Sequence, residues 1–225
     1  MAKDSDALKA RIYAEARAIA ASGGRLAFAV SGGRDSAVMV DLMSRLLPDM
    51  SAHRFFFWSY YPEALPYKAR YLSALERRYG IKVETHLDPQ RCKGKQADFV
   101  RDFLDKNGCS LCLFGYKMDD SLQRRGMLKR FSDGIDRERR WAYPLRSFTK
   151  RTVRGYATTR NVPLALEYRL GLKHDLHEHR GPAAHFLRRY VGEEDYQCAV
   201  RQEPAIEIDF VRTANDPEFL AKLEG

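Results

Sequence analysis

Cysteine is scarce, with four residues in a chain of 225: Cys92, Cys109, Cys112 and Cys198. A chain of this length buries a core of its own, so four thiols do not suggest the disulfide framework that small secreted domains need. Long apolar runs are missing too. None approaches the roughly 20 residues of a membrane helix, and residues 1–21 are amphipathic and charged, without the apolar block of a signal peptide. The expected location is therefore cytoplasmic, with no membrane partner. Internal repeats and low-complexity linkers are also lacking, which leaves one domain with elaborations. Positive charge, by contrast, is in excess: 39 Lys and Arg against 30 Asp and Glu, a net charge of +9. That balance favours polyanionic partners, either a nucleoside triphosphate or a nucleic acid. A well-solvated basic surface would give the same count.

Periodicity alternates between strands and helices. Leu8, Ile12, Ala16 and Ile19 lie at helical spacing before the stop Ser22-Gly23-Gly24. Residues 26–30 form a short apolar run between glycines, as expected of a central parallel strand buried on both faces. A helix follows through Val38, Met39, Leu42, Met43 and Leu46. Residues 55–61, 81–87, 110–115 and 139–145 are expected as four further strands, and residues 66–79, 96–106, 121–131 and 149–161 as helices. This pattern predicts an α/β fold: a doubly wound, mostly parallel five-stranded sheet with helices on both faces. Residues 1–172 are expected to form that core. Residues 173–225, less regular, are expected to form a C-terminal extension packed on or over the site, with an edge strand at 206–210 and a short helix after Pro217.

The segment Ser31-Gly32-Gly33-Arg34-Asp35-Ser36 joins the first strand to its helix. Such a turn directs free backbone N–H groups at one spot, and the glycines admit positive φ and close approach of an anion. Ser31 and Ser36 are candidate hydroxyl donors. Asp35, a carboxylate, would orient an amide or hold Mg²⁺ against phosphates rather than touch phosphate itself. A tight turn explains the glycines but not Ser31, Asp35 and Ser36 together directly after a buried strand. The loop lacks the Gly-Lys-Ser/Thr ending of a Walker loop.

This loop resembles the Ser-Gly-Gly-x-Asp-Ser loop of the PP-loop ATP pyrophosphatases, whose fold is adenine nucleotide alpha hydrolase-like. Two later segments resemble the phosphoadenylyl-sulfate (PAPS) reductase branch. One is Phe114-Gly115-Tyr116-Lys117 with Asp120, Ser121, Arg124 and Arg125. The other runs from Tyr143-Pro144-Leu145-Arg146-Ser147-Phe148-Thr149 to Asn161-Val162-Pro163-Leu164. The resemblance covers residues 25–172 and implies a nucleotide at the carboxyl ends of the strands. It implies nucleotide contacts from Ser31, Gly32, Gly33, Arg34, Asp35, Ser36 and Gly115. Asp35, Lys117, Arg124 and Arg125 would be catalytic, and Asp35 with Asp120 (or Asp119) would hold Mg²⁺. The sequence departs from the pattern where Lys117 replaces Arg and Ser147-Phe148 replaces Asp-Trp. The Glu-Cys-Gly-Leu-His tail that supplies a reductase's thiolate is absent, as are the paired cysteines of an iron–sulfur cluster, so no cluster is expected.

Other candidates compete with simpler readings. Cys109 and Cys112 are spaced Cys-x-x-Cys, but residues three apart on a strand face opposite ways, and Cys112 is most simply core. Cys198, near Arg201, is the one late cysteine that would replace the missing nucleophile. His174, His177 and His179 with Asp175 fit no single regular element as a metal site, and phosphate or solvent contacts suit them better. The Arg/Lys-rich face 124–154 would meet nucleic acid, or is simply a solvated surface. The leading expectation is a Mg²⁺-dependent adenylyltransferase that cleaves ATP between the α- and β-phosphates and releases pyrophosphate. Alternatives are a PAPS or APS reductase-like enzyme with a non-standard cysteine, a tRNA- or DNA-modifying protein of the sulfur-transfer type, and an inactive nucleotide sensor. The acceptor substrate is not named by the sequence, and a homo-oligomer stays open.

Overall fold

The computed structural model describes residues 13–59, 66–87, 95–165 and a few isolated positions beyond, Tyr168 among them. Cys92, Cys198, the three histidines and the expected edge strand and terminal helix lie outside the described residues. The elements run α1 (Ala14–Ala21), β1 (Leu26–Ala29), α2 (Arg34–Ser44), β2 (Arg54–Ser59), α3 (Pro66–Tyr79), β3 (Val83–Leu87), α4 (Lys95–Asn107), β4 (Leu111–Leu113), α5 (Leu122–Leu128), β5 (Ile135–Asp136), β6 (Trp141–Ala142) and α6 (Lys150–Thr159). The sheet order is β3-β2-β1-β4-β6-β5. Every pairing is parallel except that of β5 with β6.

Strand periodicity divides the interior into two cores. Leu26, Phe28 and Val30 of the first strand, with Phe55 and Phe57 of the second, pack under α1, α2, α3 and α6. The alternate residues Ala27 and Phe56 face Val100, Phe103 and Leu104 of α4 and Leu128 of α5. Aromatic rings fill both layers: Phe28 stacks on Phe55 at 4.5 Å, and Phe56 meets Phe103 at 4.7 Å between centroids. A chain with helices on both faces and its central strands buried on both sides is the doubly wound architecture that the pattern predicts.

The innermost helix is α2, buried without interruption from Ser36 to Met43. That run includes Asp41, only 3% exposed. Its carboxylate accepts hydrogen bonds from the hydroxyls of Tyr79 (3.0 Å) and Tyr156 (2.8 Å), tying α3 and α6 to α2. Burial, together with the Asp41 charge, pushes both phenols above their ordinary value. Around Asp41 the phenols replace the water that an isolated buried carboxylate would lack.

Two differences from the expected elements have local causes. The sheet has six strands, not five, because residues 131–142 fold back as a two-residue hairpin, Ile135 opposite Ala142 and Asp136 opposite Trp141. Asp136 closes that turn by accepting from the Arg139 N–H (3.2 Å) and pairing with its guanidinium (3.0 Å), while Arg140 takes a positive φ of 57°. The strand expected at 139–145 therefore shrinks to Trp141–Ala142. The last described helix agrees closely: Thr149 caps it by accepting from the Thr152 N–H (3.0 Å), and Asn161 ends it at a φ of 47°.

His53, just before β2, accepts a hydrogen bond at Nδ1 from the buried Leu26 N–H (3.1 Å). Burial depresses its pKa below the ordinary 6.5, and the neighbouring Asp49 only partly opposes this. Protonation would turn the acceptor into a second donor facing Leu26. The unfolded chain therefore takes up this proton more readily, and the contribution of His53 to stability is present above pH 6.5 and lost as pH falls toward the folded value. In His53→Asn, whose side-chain oxygen keeps an acceptor, the urea midpoint is expected to fall less between pH 7.5 and pH 5.5 than in wild type. Parallel curves for the two proteins would remove this role.

Candidate functional site

The order β3-β2-β1-β4-β6-β5 places the reversal of winding between β1 and β4. Loops leaving the carboxyl ends of those two strands diverge there and open a crevice. The loop after β1 contains Ser31–Ser36, and the loop after β4 contains Gly115–Asp120. The main chain after β1 stays in the sheet as far as Val30, whose N–H donates to Phe56 (2.8 Å). Gly32 then turns it with a φ of 75°, and Gly33 starts α2 in an extended conformation with no side-chain cap. The first intrahelical bond runs from the Ala37 N–H to the Gly33 carbonyl (3.2 Å). The N–H groups of Arg34, Asp35 and Ser36 precede that ladder and face the crevice end of α2, where partial positive charge gathers.

Ser31 and Ser36 hold this loop from within. The Ser36 hydroxyl donates to the Gly33 carbonyl (2.9 Å) and accepts from the Ser31 N–H (3.2 Å), while Ser31 Oγ accepts from the Gly33 N–H (3.3 Å). Lys68 lies beneath. It is 2% exposed, and its ammonium donates to the Gly32 carbonyl at 3.5 Å. The guanidinium of Arg34 lies over the Tyr168 ring at 4.9 Å, so the chain after α6 returns across the loop. Gly115 touches the same turn from the other side: a Cβ there would stand 2.9 Å from the Asp35 carbonyl carbon and 3.0 Å from the Ser36 nitrogen.

Beyond Gly115 comes a chain of charges. Lys117, 2% exposed, reaches back so that its ammonium bonds both Asp35 and Asp120. Asp120 also accepts from the Lys117 N–H (3.1 Å) and from the Arg124 guanidinium (3.1 Å). Arg124 in turn lies 3.6 Å above the Tyr116 ring, which packs against both Phe114 and Tyr143. The structure thus brings Asp35, Lys117, Asp120 and Arg124 into one network. Arg125 stands apart, its Nε donating to the Met118 carbonyl (3.3 Å).

The donor set expected for Mg²⁺ does not fit that ion. Asp35 and Asp120 both close on the Lys117 ammonium, and Asp119 accepts from the Lys150 N–H (2.8 Å) at the start of α6. Among the described residues, no group of three or more His, Cys, Asp or Glu side chains is gathered to hold a metal. In this structure the Lys117 ammonium stands between the two carboxylates.

Cys109 and Cys112 are free and buried, and burial pushes both thiols above their usual range, which suits core packing. The basic segment is less uniformly open than its sequence. Arg139 pairs with Asp136, Arg140 with Asp105 and Arg146 with Glu15, whereas Lys129, Arg130, Lys150, Arg151 and Arg154 are exposed. Sequence reasoning passed over Lys68, although it occupies the buried stripe of α3 with Leu72, Leu75 and Tyr79, where a charge needs a reason. Tyr168 carried no signal.

Residues 25–174 match the family model of the phosphoadenosine phosphosulfate reductase domain. The chain belongs to this family. No curated protein matches the chain in sequence. Among solved structures it is similar to the FMN adenylyltransferase of Candida glabrata, with a TM-score of 0.51 and 16% identity over 67% of this chain and 52% of that one. The U34-tRNA thiolase NcsA of Methanococcus maripaludis, solved with its 4Fe-4S cluster, gives 0.49 and 13% over 89% and 72%. The PAPS reductase of Candida auris, a phosphate complex, gives 0.47 and 13% over 71% and 84%. The family and the shared fold make this a PP-loop, PAPS reductase-like member of the adenine nucleotide alpha hydrolase-like proteins. No helix among the described residues is long and apolar enough to cross a membrane.

Gly115 offers a direct test of the crevice. Gly115→Ala forces a methyl against the first turn of α2, an overpacking that costs about 1–3 kcal/mol. A melting temperature lowered relative to wild type is expected in thermal unfolding. Gly126→Ala is the control, since nothing lies within 4 Å of a Cβ there; equal behaviour of the two variants would contradict the close packing.

Proposed function

We propose that the chain is a nucleotide enzyme that holds an adenine nucleotide, ATP in the leading reading, at the β1–β4 crevice and transfers its adenylyl group. The observation that carries this reading is the uncapped amino end of α2 behind the Ser31–Ser36 loop, with Lys68 and Lys117 buried on either side. Phosphate oxygens would accept from the amides of Arg34, Asp35 and Ser36 and from the Arg34 side chain. Ser31 and Ser36 would join once their hydroxyls leave the internal bonds to Ser36 and Gly33. Gly115 packs against that turn from the β4 side and fixes it. Residues 1–172 would form the nucleotide-binding core, and residues 173–225 would close over it.

The step is an in-line displacement. An acceptor oxygen attacks the α-phosphorus, the bond from that phosphorus to the oxygen bridging to the β-phosphate breaks, and pyrophosphate leaves with the electron pair. The acceptor's proton passes to solvent. Such a transfer needs positioning and charge neutralisation more than a covalent protein intermediate. Lys117, Arg124 and Arg125 would answer the developing charge, and Asp35 would fix Lys117. Any Mg²⁺ carried on the nucleotide's phosphates arrives as part of the substrate.

A reductase reading needs an accessible thiolate; Cys109 and Cys112 are buried with raised pKa values, so that reading rests on Cys198. A nucleic-acid acceptor is supported by the exposed cations of the 129–154 surface, which would meet phosphates of the backbone. A protein of similar fold, the FMN adenylyltransferase of Candida glabrata, has been solved with FMN and the ATP analog AMPCPP.

Incubation with α-labelled ATP, Mg²⁺ and a panel of acceptors tests the proposal. Release of pyrophosphate with a labelled adenylylated product is expected from wild type, and at least about a 10²-fold slower release from Asp35→Ala. Absence of both ATP binding and pyrophosphate release from wild type would defeat it.

A further inference from the structure

The bridge between Asp35 and Asp120 has a chemical consequence for the phosphate loop. Asp120 is well supplied with donors: one oxygen meets the Lys117 ammonium, and the other accepts from the Lys117 N–H and from Arg124. Asp35 shares the same ammonium. Lys117 and Arg124 carry two positive charges against the two carboxylates, so this cluster is neutral as it stands. A divalent ion entering between the acids would face a lysine whose side chain is 3% exposed and has little water to retreat into. The ammonium is also tethered, four methylenes from the backbone that leaves β4, so it competes for the gap intramolecularly.

We propose that Lys117 is the resident cation of this site, occupying the position a divalent ion would take and leaving the Asp35–Asp120 pair unable to recruit one. The loop is then charge-balanced before any nucleotide arrives, and it discriminates in favour of an anionic tail over a free metal ion. The nucleotide part rests on the function proposed above; the exclusion of metal does not.

Manganese titration of the full chain without nucleotide, followed by the electron paramagnetic resonance of free Mn²⁺, tests this. The quantity read is the binding removed by Asp120→Asn, which discounts ions held elsewhere on the chain. Wild type is expected to show no such increment at millimolar Mn²⁺. Lys117→Met is expected to gain one equivalent bound at least tenfold more tightly, and Lys117→Met/Asp120→Asn is expected to lose it. An equivalent of Mn²⁺ bound by wild type and abolished by either Asp35→Asn or Asp120→Asn would overturn the proposal. So would a folded Lys117→Met that gains nothing. Should Lys117→Met fail to fold, the wild-type titration against Asp35→Asn still decides. A failed adenylyl-transfer assay leaves these readings unchanged, because no nucleotide is present.

Discussion

The approach of Gly115 to the first turn of α2 is the contact on which the site depends. A strand exit and a helix start meet there with room for a hydrogen and no more. The contact is possible because β1 and β4 are neighbours in the sheet yet continue in opposite winding directions, so their carboxyl ends part just above Ala29 and Leu113. It fixes the Ser31–Ser36 loop from the β4 side, while Lys68 fixes it from α3. The serines contribute by turning inward. Their mutual bonds spend the flexibility of the loop before a ligand arrives, which lowers the ordering cost of binding.

The charges extend this fixed turn outward. Asp35 leads through Lys117 to Asp120, on to Arg124, and finally to the Tyr116 ring clustered with Phe114 and Tyr143. Each member restrains the next, so the guanidinium at the rim is positioned by the same aromatic layer that fills the lower core. Removing Asp120 would strip the buried Lys117 of one of its two carboxylates, which is costlier than losing a surface pair. Rigidity at the rim is thus a property of the core packing rather than of the loop alone.

The fold was largely legible because burial on both faces leaves a continuous apolar run, and the helices keep their 3.6-residue stripes. Residues 66–79 agree with α3 end to end. The β5–β6 hairpin was not legible, since two residues per strand carry no periodicity and its turn is built from charged residues, Asp136 and Arg139, that look like surface. At the site, the loop declared itself by composition, and Gly115 by the resemblance of its segment to the reductase branch. The pairing of Lys117 with both acids did not, because spacing within a strand exit says nothing about which way a long side chain bends back. Lys68 was readable in principle: a lysine in register with Leu72, Leu75 and Tyr79 has to be buried, and a buried ammonium has to find a carbonyl or a carboxylate.

The departure at Ser147 shows how local substitutions and distant elements combine. Where the family's stretch has an aspartate, this chain has a serine, and the carboxylate beside it comes from α1 instead. Glu15 accepts from the Ser147 hydroxyl at 2.6 Å and from the Arg146 guanidinium at 3.0 Å, and Arg146 also donates to the Leu128 carbonyl at 3.0 Å. Glu15 is only 8% exposed, and the methylene carbons of its side chain press against Gly134. One buried carboxylate therefore joins α1, the end of α5, the β5–β6 hairpin and the loop that leads into α6. The carboxylate at this place therefore ties four segments together, so the amino-terminal helix supports the loop into α6 even though it lies outside the matched family region.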